Sequence, residues 1–370
     1  MQFLLDEQQI EVKENAERLL KENTDHQKLI EQVSSNIRID SDLWKLIVEQ
    51  GWLALDISED EGGVGFSFTE QSILHEVLGY YLPIVPFLSS GVMFKNLILE
   101  TKKQDVLGEI ISGDKIGAVA YSEPSTSWND ISTVKTSLKK EGNNYVLNGN
   151  KDYVLFGDSS DYYLVIAQMN KSQHLVLLSS DAEGLVCTPT TSLDQTRPLA
   201  SIEFNNVEVH EDNLLLDGKD LASAWKKMLL LTTAALSVEQ VGGATACLEM
   251  SVQYAKDRIQ FGRPIGSFQA VQHTCADMLL QLESAKSTAY AACRSSSADV
   301  VEFDMMSSIA RAYCSNAFNK IAGDNIQIHA GIGFTWEHPA HLYFKRAKSD
   351  SLMLGSSKDA RDRVGKLIGI

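Results

Sequence analysis

Near Gly117 the spacing of apolar residues in this chain changes from three-and-four to alternation, and near Leu221 it changes back. That double switch limits the fold more than any other feature, because it places a strand-built segment between two helical ones. On the N-terminal side Ile10, Ala16, Leu19 and Leu20, then Leu43, Ile47 and Val48, recur with helical spacing. Ser67 and Glu70 stand at capping-box spacing, followed by Ile73, Leu74, Val77 and Leu78 on one face, so a helix is predicted to start there. In the middle, Val134, Thr136 and Leu138, then Tyr145, Val146 and Leu147, alternate or run as strands do. Turn signals at Gly142-Asn143-Asn144 and at Asn148-Gly149 read as hairpins. Strand-like runs continue through Tyr163 to Ile166, Leu175 to Leu178, and Ile202, Phe204, Val207 and Val209. Beyond Leu221 no proline stands between Pro264 and Pro339, which predicts two long helices around 268–295 and 300–330.

A helical, then β, then helical order argues against a Rossmann fold, in which strand and helix interleave. The chain also lacks GxGxxG, Walker A, GxSxG and HExxH patterns. Its 370 residues, 44% of them hydrophobic, suffice for two or three domains around sizeable cores. A formal charge of -16 opposes attraction to nucleic acid or anionic membrane, which carry the same sign. Five widely spaced cysteines without a CxxC pair read as reduced core residues, and no His/Cys grouping has metal-ligand spacing, so no metal is expected. The acidic start of the sequence lacks the basic region of a signal peptide, and no apolar run approaches a membrane span. A cytoplasmic location without membrane insertion is expected.

Five strings then carry a resemblance. Glu59-Asp60-Glu61-Gly62-Gly63-Val64-Gly65 is a glycine-rich bend between helices. Tyr121-Ser122-Glu123-Pro124 enters the β segment, and Leu147-Asn148-Gly149-Asn150-Lys151-Asp152-Tyr153 follows it. The most specific is Arg258-Ile259-Gln260-Phe261-Gly262-Arg263-Pro264-Ile265 with Phe268-Gln269-Ala270-Val271-Gln272-His273, and the last is Gln327-Ile328-His329-Ala330-Gly331-Ile332-Gly333. Together they make the chain resemble the acyl-CoA dehydrogenase family over most of its length. The resemblance implies an N-terminal helical domain (1–116), a central β-sandwich or barrel domain (117–217) and a C-terminal four-helix bundle domain (218–370). It also implies FAD at a subunit interface, an acyl-CoA substrate, an electron-transferring flavoprotein as acceptor and a homo- or hetero-tetramer.

By that resemblance Ser122, with Tyr121 beside it, meets the flavin edge, Tyr153 stacks on the ring, and Arg258 reaches the diphosphate, usually of a neighbouring subunit. A guanidinium suits that task because it is permanently charged and binds bidentately. Phe261 and Gln269 contact the same cofactor; Gln327, Gly331 and Ser356 lie toward its adenylate. On the substrate side stand Ser127, Leu354 and Gly355. The family's Gly-x-Gly-Ser-Asp after Glu-Pro is here Ser125-Thr126-Ser127-Trp128-Asn129-Asp130, Leu155 replaces a flavin-contacting hydroxyl, and Ala330 replaces the first of two glycines.

The family's base is a glutamate whose pKa burial can raise toward that of an acidified α-proton. Its slot in the last helical stretch, directly ahead of Gly355, holds Leu354, and the alternative slot on the helix preceding the Arg258 string holds Thr232. Neither is a base at neutral pH. Glu239 and Asp350 are the nearest carboxylates, and Glu239 reads more simply as a charge satisfied within a helix or interface. Three readings stay open: the base-lacking subunit of a heteromeric enzyme resembling bacterial sterol-degrading α2β2 assemblies, a self-sufficient dehydrogenase with a displaced carboxylate, and a non-catalytic FAD- or CoA-binding scaffold.

Overall fold

A computed structural model describes residues 5–124 and 130–370. In chain order the helices are α1 (Glu7–Asn23), α2 (His26–Ser34), α3 (Ser41–Glu49), α4 (Phe68–Tyr81), a π-helical segment (Phe87–Phe94), α5 (Lys95–Ile98) and α6 (Gln104–Ile111). Strands follow: β1 (Gly117–Ala120), β2 (Ser137–Glu141), β3 (Asn144–Leu155), β4 (Tyr162–Met169), β5 (Ser172–Ser179), β6 (Leu185–Thr190), β7 (Leu199–Val209) and β8 (Leu214–Asp217). Then come α7 (Gly218–Asp257), the short strands β9 (Ile259–Gln260) and β10 (Arg263–Pro264), α8 (Gln269–Arg294), α9 (Val300–His329), α10 (Ala340–Asp350) and α11 (Ser357–Leu367). Helix, sheet and helix thus succeed one another as the change of period predicts. Residues 1–36, 67–83 and 233–370 form one compact unit, and 37–66 with 84–232 a second.

The first unit is helical apart from the short strands β9 and β10. Helix α4 begins at the predicted box: Ser67 caps it, and Glu70 returns a carboxylate to the Ser67 N–H at 2.9 Å. Gln9 of α1 donates to Glu70 at 2.8 Å, fastening α1 to that end. Two glycines allow α4 and α7 to touch along their backbones. A Cβ on Gly79 would fall 1.9 Å from the Glu239 carbonyl oxygen, and one on Gly242 would fall 1.8 Å from that of Glu76. Glycine inside a helix costs about 1 kcal/mol relative to alanine, and this crossing is its compensation. Gly242→Ala is accordingly expected to lower the unfolding free energy by about 2–3 kcal/mol, read as a drop in urea midpoint. An unchanged midpoint would contradict the close crossing.

The second unit is built on one eight-stranded sheet ordered β6-β7-β3-β2-β4-β5-β8, with β1 pairing parallel to β4. Its core is the inward set of the alternating strands, among them Leu138, Leu147, Tyr163, Val165, Val176, Ile202, Phe204 and Val207, all buried. The whole π-helical segment is buried too, and Ser90 at its centre accepts from the Gly117 N–H at 3.0 Å, where β1 begins. Lys95, fully buried, pairs with Asp56.

The sheet corrects one expectation. The chain reverses at Gly142-Asn143, but Asn148-Gly149 is no hairpin; it lies within the unbroken strand β3. The register to β7 shifts there by one residue, the extra one on β7 at Asn206, whose φ is 54°. The Asn148 side chain accepts from the Asn206 N–H at 2.9 Å and donates to the Asn206 side chain at 3.0 Å. A dipeptide suited to a turn here serves a β-bulge, which needs the same polar, permissive residues.

Candidate active site

In the second unit β1 delivers Tyr121, Ser122 and Glu123, all nearly buried, to the edge of the sheet. Tyr121 packs edge-on against Trp225 with ring centroids 4.9 Å apart. Ser122 is tied to β3, its carbonyl accepting from the Asp152 N–H at 2.9 Å. Behind it, the Glu123 carboxylate accepts from Lys151 Nζ at 2.7 Å, from the Thr136 hydroxyl at 2.7 Å, and from the backbone amides of Lys135 and Thr136 at 2.8 and 2.9 Å. Burial alone would push this carboxyl up, but Lys151 and the amides outweigh it and hold it below the ordinary value. The Lys151 ammonium has no solvent exposure, and burial pushes it down to about 8 against the opposing pull of Glu123. Both lie inside strings that carry the family resemblance, which assigns neither of them a role.

Between Lys151 and Val154 β3 carries an extra residue relative to β7, and Tyr153 there adopts φ 58° and stands 46% exposed. A bulged tyrosine in the left-handed region is costly, so its conformation is one the surrounding strands enforce. Leu155, two residues on, is buried. Ser127 falls among residues 125–129, outside the described ones.

In the first unit Arg258 follows directly on α7, and its N–H still donates to the Tyr254 carbonyl at 2.9 Å. The next residues close a minute antiparallel hairpin, β9 to β10, whose two turn residues, Phe261 and Gly262, both have positive φ (52° and 76°). That is the combination a tight two-residue hairpin turn requires. Ile265 N–H donates to the Arg258 carbonyl at 2.8 Å and closes the base of the hairpin. Arg258 is exposed and, among the described residues, forms no ion pair; Phe261 at the tip is 92% exposed. Arg263 covers the Phe268 ring at 4.1 Å, and Gln269, exposed, starts α8.

At the end of α9 Gln327 is exposed, while His329 is buried, stacked on Tyr254 at 4.4 Å. Ala330 has φ 53° and ψ -133°, a region L-residues rarely enter, and a Cβ on Gly331 would meet only open space. Ala330→Gly is expected to raise stability by about 1 kcal/mol by relieving this strain, seen as a higher melting temperature. A lower one would mean the alanine methyl is worth more than the strain.

The base slots hold no free carboxylate. Leu354 is buried, with φ 58°, and Gly355 after it has φ 92°. Arg311 fixes this bend from behind, donating to the carbonyls of Asp350 and Gly355 at 2.7 Å each and to that of Met353. The Thr232 hydroxyl donates to the Met228 carbonyl at 2.7 Å, as in an ordinary helix interior. Glu239 is buried and accepts from Arg346 Nη1 at 2.5 Å. Asp350 is fully buried in the last turn of α10. Ser356 caps α11 in a box with Asp359. Among the described residues no group of three His, Cys, Asp or Glu could hold a metal ion, and no helix is long and apolar enough to cross a membrane.

Chemically, the second unit offers a buried hydroxyl beside an outward aromatic ring, suited to a planar polar heterocycle. The first offers an unpaired guanidinium and an open, small-residue loop, suited to a dinucleotide's phosphates and base. Each set, taken by itself, has the kind of groups a flavin dinucleotide asks for. Models of the acyl-CoA dehydrogenase N-terminal, middle and C-terminal domains match residues 6–114, 118–207 and 223–369. The chain is 30% identical to the acyl-CoA dehydrogenase IpdE2 of Mycolicibacterium smegmatis, across 90% of this chain and 89% of that one. A solved structure described as an FAD-dependent dehydrogenase superposes with a TM-score of 0.88 at 28% identity, covering 100% of both chains. The ChsE4–ChsE5 complex from Mycobacterium tuberculosis gives 0.89 at 25% identity, covering 100% of this chain and 99% of that one.

Proposed function

We propose, from the premise that this chain belongs to the acyl-CoA dehydrogenase family, that it is the base-lacking subunit of a heteromeric enzyme that desaturates an acyl-CoA thioester. The family is FAD-dependent. When bound, FAD supplies the acceptor for the hydride that leaves the β-carbon. Ser122 would donate to the flavin edge next to Tyr121, Tyr153 would cover the ring, and Arg258, Phe261 and Gln269 would hold the diphosphate side. Gln327, Gly331 and Ser356 would flank the adenylate. On the substrate side Leu354 and Gly355 would present an apolar wall that excludes water but takes no proton; Ser127 is assigned there by family resemblance.

The observation that carries this reading is the leucine at position 354 together with the engagement of Glu239 by Arg346. A carboxylate held in a buried ion pair is strongly biased toward its charged, hydrogen-bonded state and is poorly placed to swing to another proton. The α-proton must then leave to a glutamate of a homologous partner, and the ChsE4–ChsE5 likeness, itself a complex of two named chains, supports such an assembly. We take the assembly as α2β2, the electron acceptor as an electron-transferring flavoprotein, and the location as cytoplasmic.

The test is expression with and without a homologue that carries the glutamate, followed by flavin absorbance and turnover of a panel of acyl-CoA thioesters with an artificial electron acceptor. Turnover should need both chains, with a loss of about 100-fold or more when the partner is absent. Robust turnover by the lone chain would restore the displaced-carboxylate reading. Flavin that no thioester reduces, even with the partner, would point to the scaffold.

A further inference from the structure

The geometry points to Glu123 and Lys151 as positioning residues that set the flavin-facing edge of the second unit by locking β1 and β3 together. The inference deepens the proposed cofactor role of Ser122 and Tyr153 and rests on it. Glu123 immediately follows Ser122, and Lys151 precedes Tyr153 by two residues. Their side chains meet at 2.7 Å with 5% and 0% exposure, so the residues on either side of them are fixed relative to one another by one buried contact. Lys151 Nζ also reaches the Tyr121 carbonyl at 3.4 Å. The Asp152 N–H donates to the Ser122 carbonyl, and the Asp152 carboxylate accepts from Ser201 on β7 at 2.6 Å, which ties the same bulge to the next strand.

Three facts separate this pair from an incidental ion pair. Lys151 is wholly and Glu123 almost wholly withdrawn from water, where an unmatched charge is expensive and pairing by itself gains little over apolar packing. Among the described residues the Glu123 carboxylate accepts from Lys151, from the Thr136 hydroxyl and from the backbone amides of Lys135 and Thr136 just ahead of β2, so it ties together the segments that end β1, lead into β2 and run along β3. Beside the pair Tyr153 keeps a left-handed backbone that is unfavourable for a non-glycine residue and persists only where its surroundings enforce it. The pair therefore acts on the hydroxyl and ring that would touch the flavin without touching the flavin itself.

Because isosteric removal of both charges restores packing, Glu123→Gln with Lys151→Met separates fold from positioning. The expected result is a melting temperature close to that of the unaltered protein. FAD affinity, by titration of protein freed of flavin and then reloaded, should fall about tenfold or more. The fine structure of the bound-flavin absorption band should blur, which a purely structural role would not produce. Thr136→Val, which removes one hydrogen bond from Glu123 and leaves the charges paired, should weaken FAD binding by about threefold, and it decides the matter if the double variant does not fold. Unchanged affinity and spectrum in a folded double variant, or in Thr136→Val should that be the one that folds, overturn the inference. Ser122→Ala and Tyr153→Ala serve as controls: if neither weakens FAD binding, the flavin-edge reading itself fails, whereas weakening in both with no effect of the pair rejects only the clamp.

Discussion

Leu354→Glu in the lone chain is expected to raise acyl-CoA turnover by about 100-fold or more, the usual worth of a positioned general base. The bend that carries residue 354 is held by Arg311 through backbone carbonyls, so its geometry does not depend on the side chain at 354. Glutamate and leucine both carry a Cβ and meet the same penalty at φ 58°, so the exchange adds no new backbone strain. Leu354 is 6% exposed; a carboxyl there would be desolvated and its pKa raised, as suits abstraction of an acidified α-proton. Turnover of a thioester panel, assayed with flavin content in parallel, gives the answer. Full flavin with no gain in rate would place residue 354 away from the reacting carbon and remove the main support for the base-lacking reading.

The second large effect concerns the Glu239–Arg346 pair. Arg346→Met leaves the Glu239 charge buried without its cation and should cost about 3–5 kcal/mol of unfolding free energy. Adding Glu239→Leu removes that stranded charge and should recover most of the loss. Urea unfolding of the two single variants and the double gives the coupling directly. A double variant as unstable as Arg346→Met would mean that the arginine matters for its packing rather than for the charge it meets.

Much of the architecture was legible because it follows from residues close in sequence. The capping box at Ser67 and Glu70 and the proline-free stretch that holds α8 and α9 are local signals, and the structure uses both. Gly242 sits inside α7 because α4 crosses it there, and nothing local to that stretch says which helix the partner is. Asn148-Gly149 misled because the chemistry that favours a turn also favours a bulge, and only the paired strand decides between them. The ion pairs were out of reach for a similar cause: Lys151 lies 28 residues from Glu123, and Arg346 lies 107 from Glu239, so topology alone brings them together. For Arg258 the family string suggested a task, and what the fold adds is its setting on a two-residue hairpin beside an uncovered phenylalanine.

That hairpin has a consequence for how the protein behaves on dilution. Whatever covers Phe261 and answers the charge of Arg258 gains apolar contact and a counter-ion in the same place, so occupancy of the two becomes thermodynamically linked. If that occupant is FAD shared with a second subunit, as proposed, the yellow colour of a stock solution would fade faster than simple dilution requires, and added FAD would restore the assembly along with the colour.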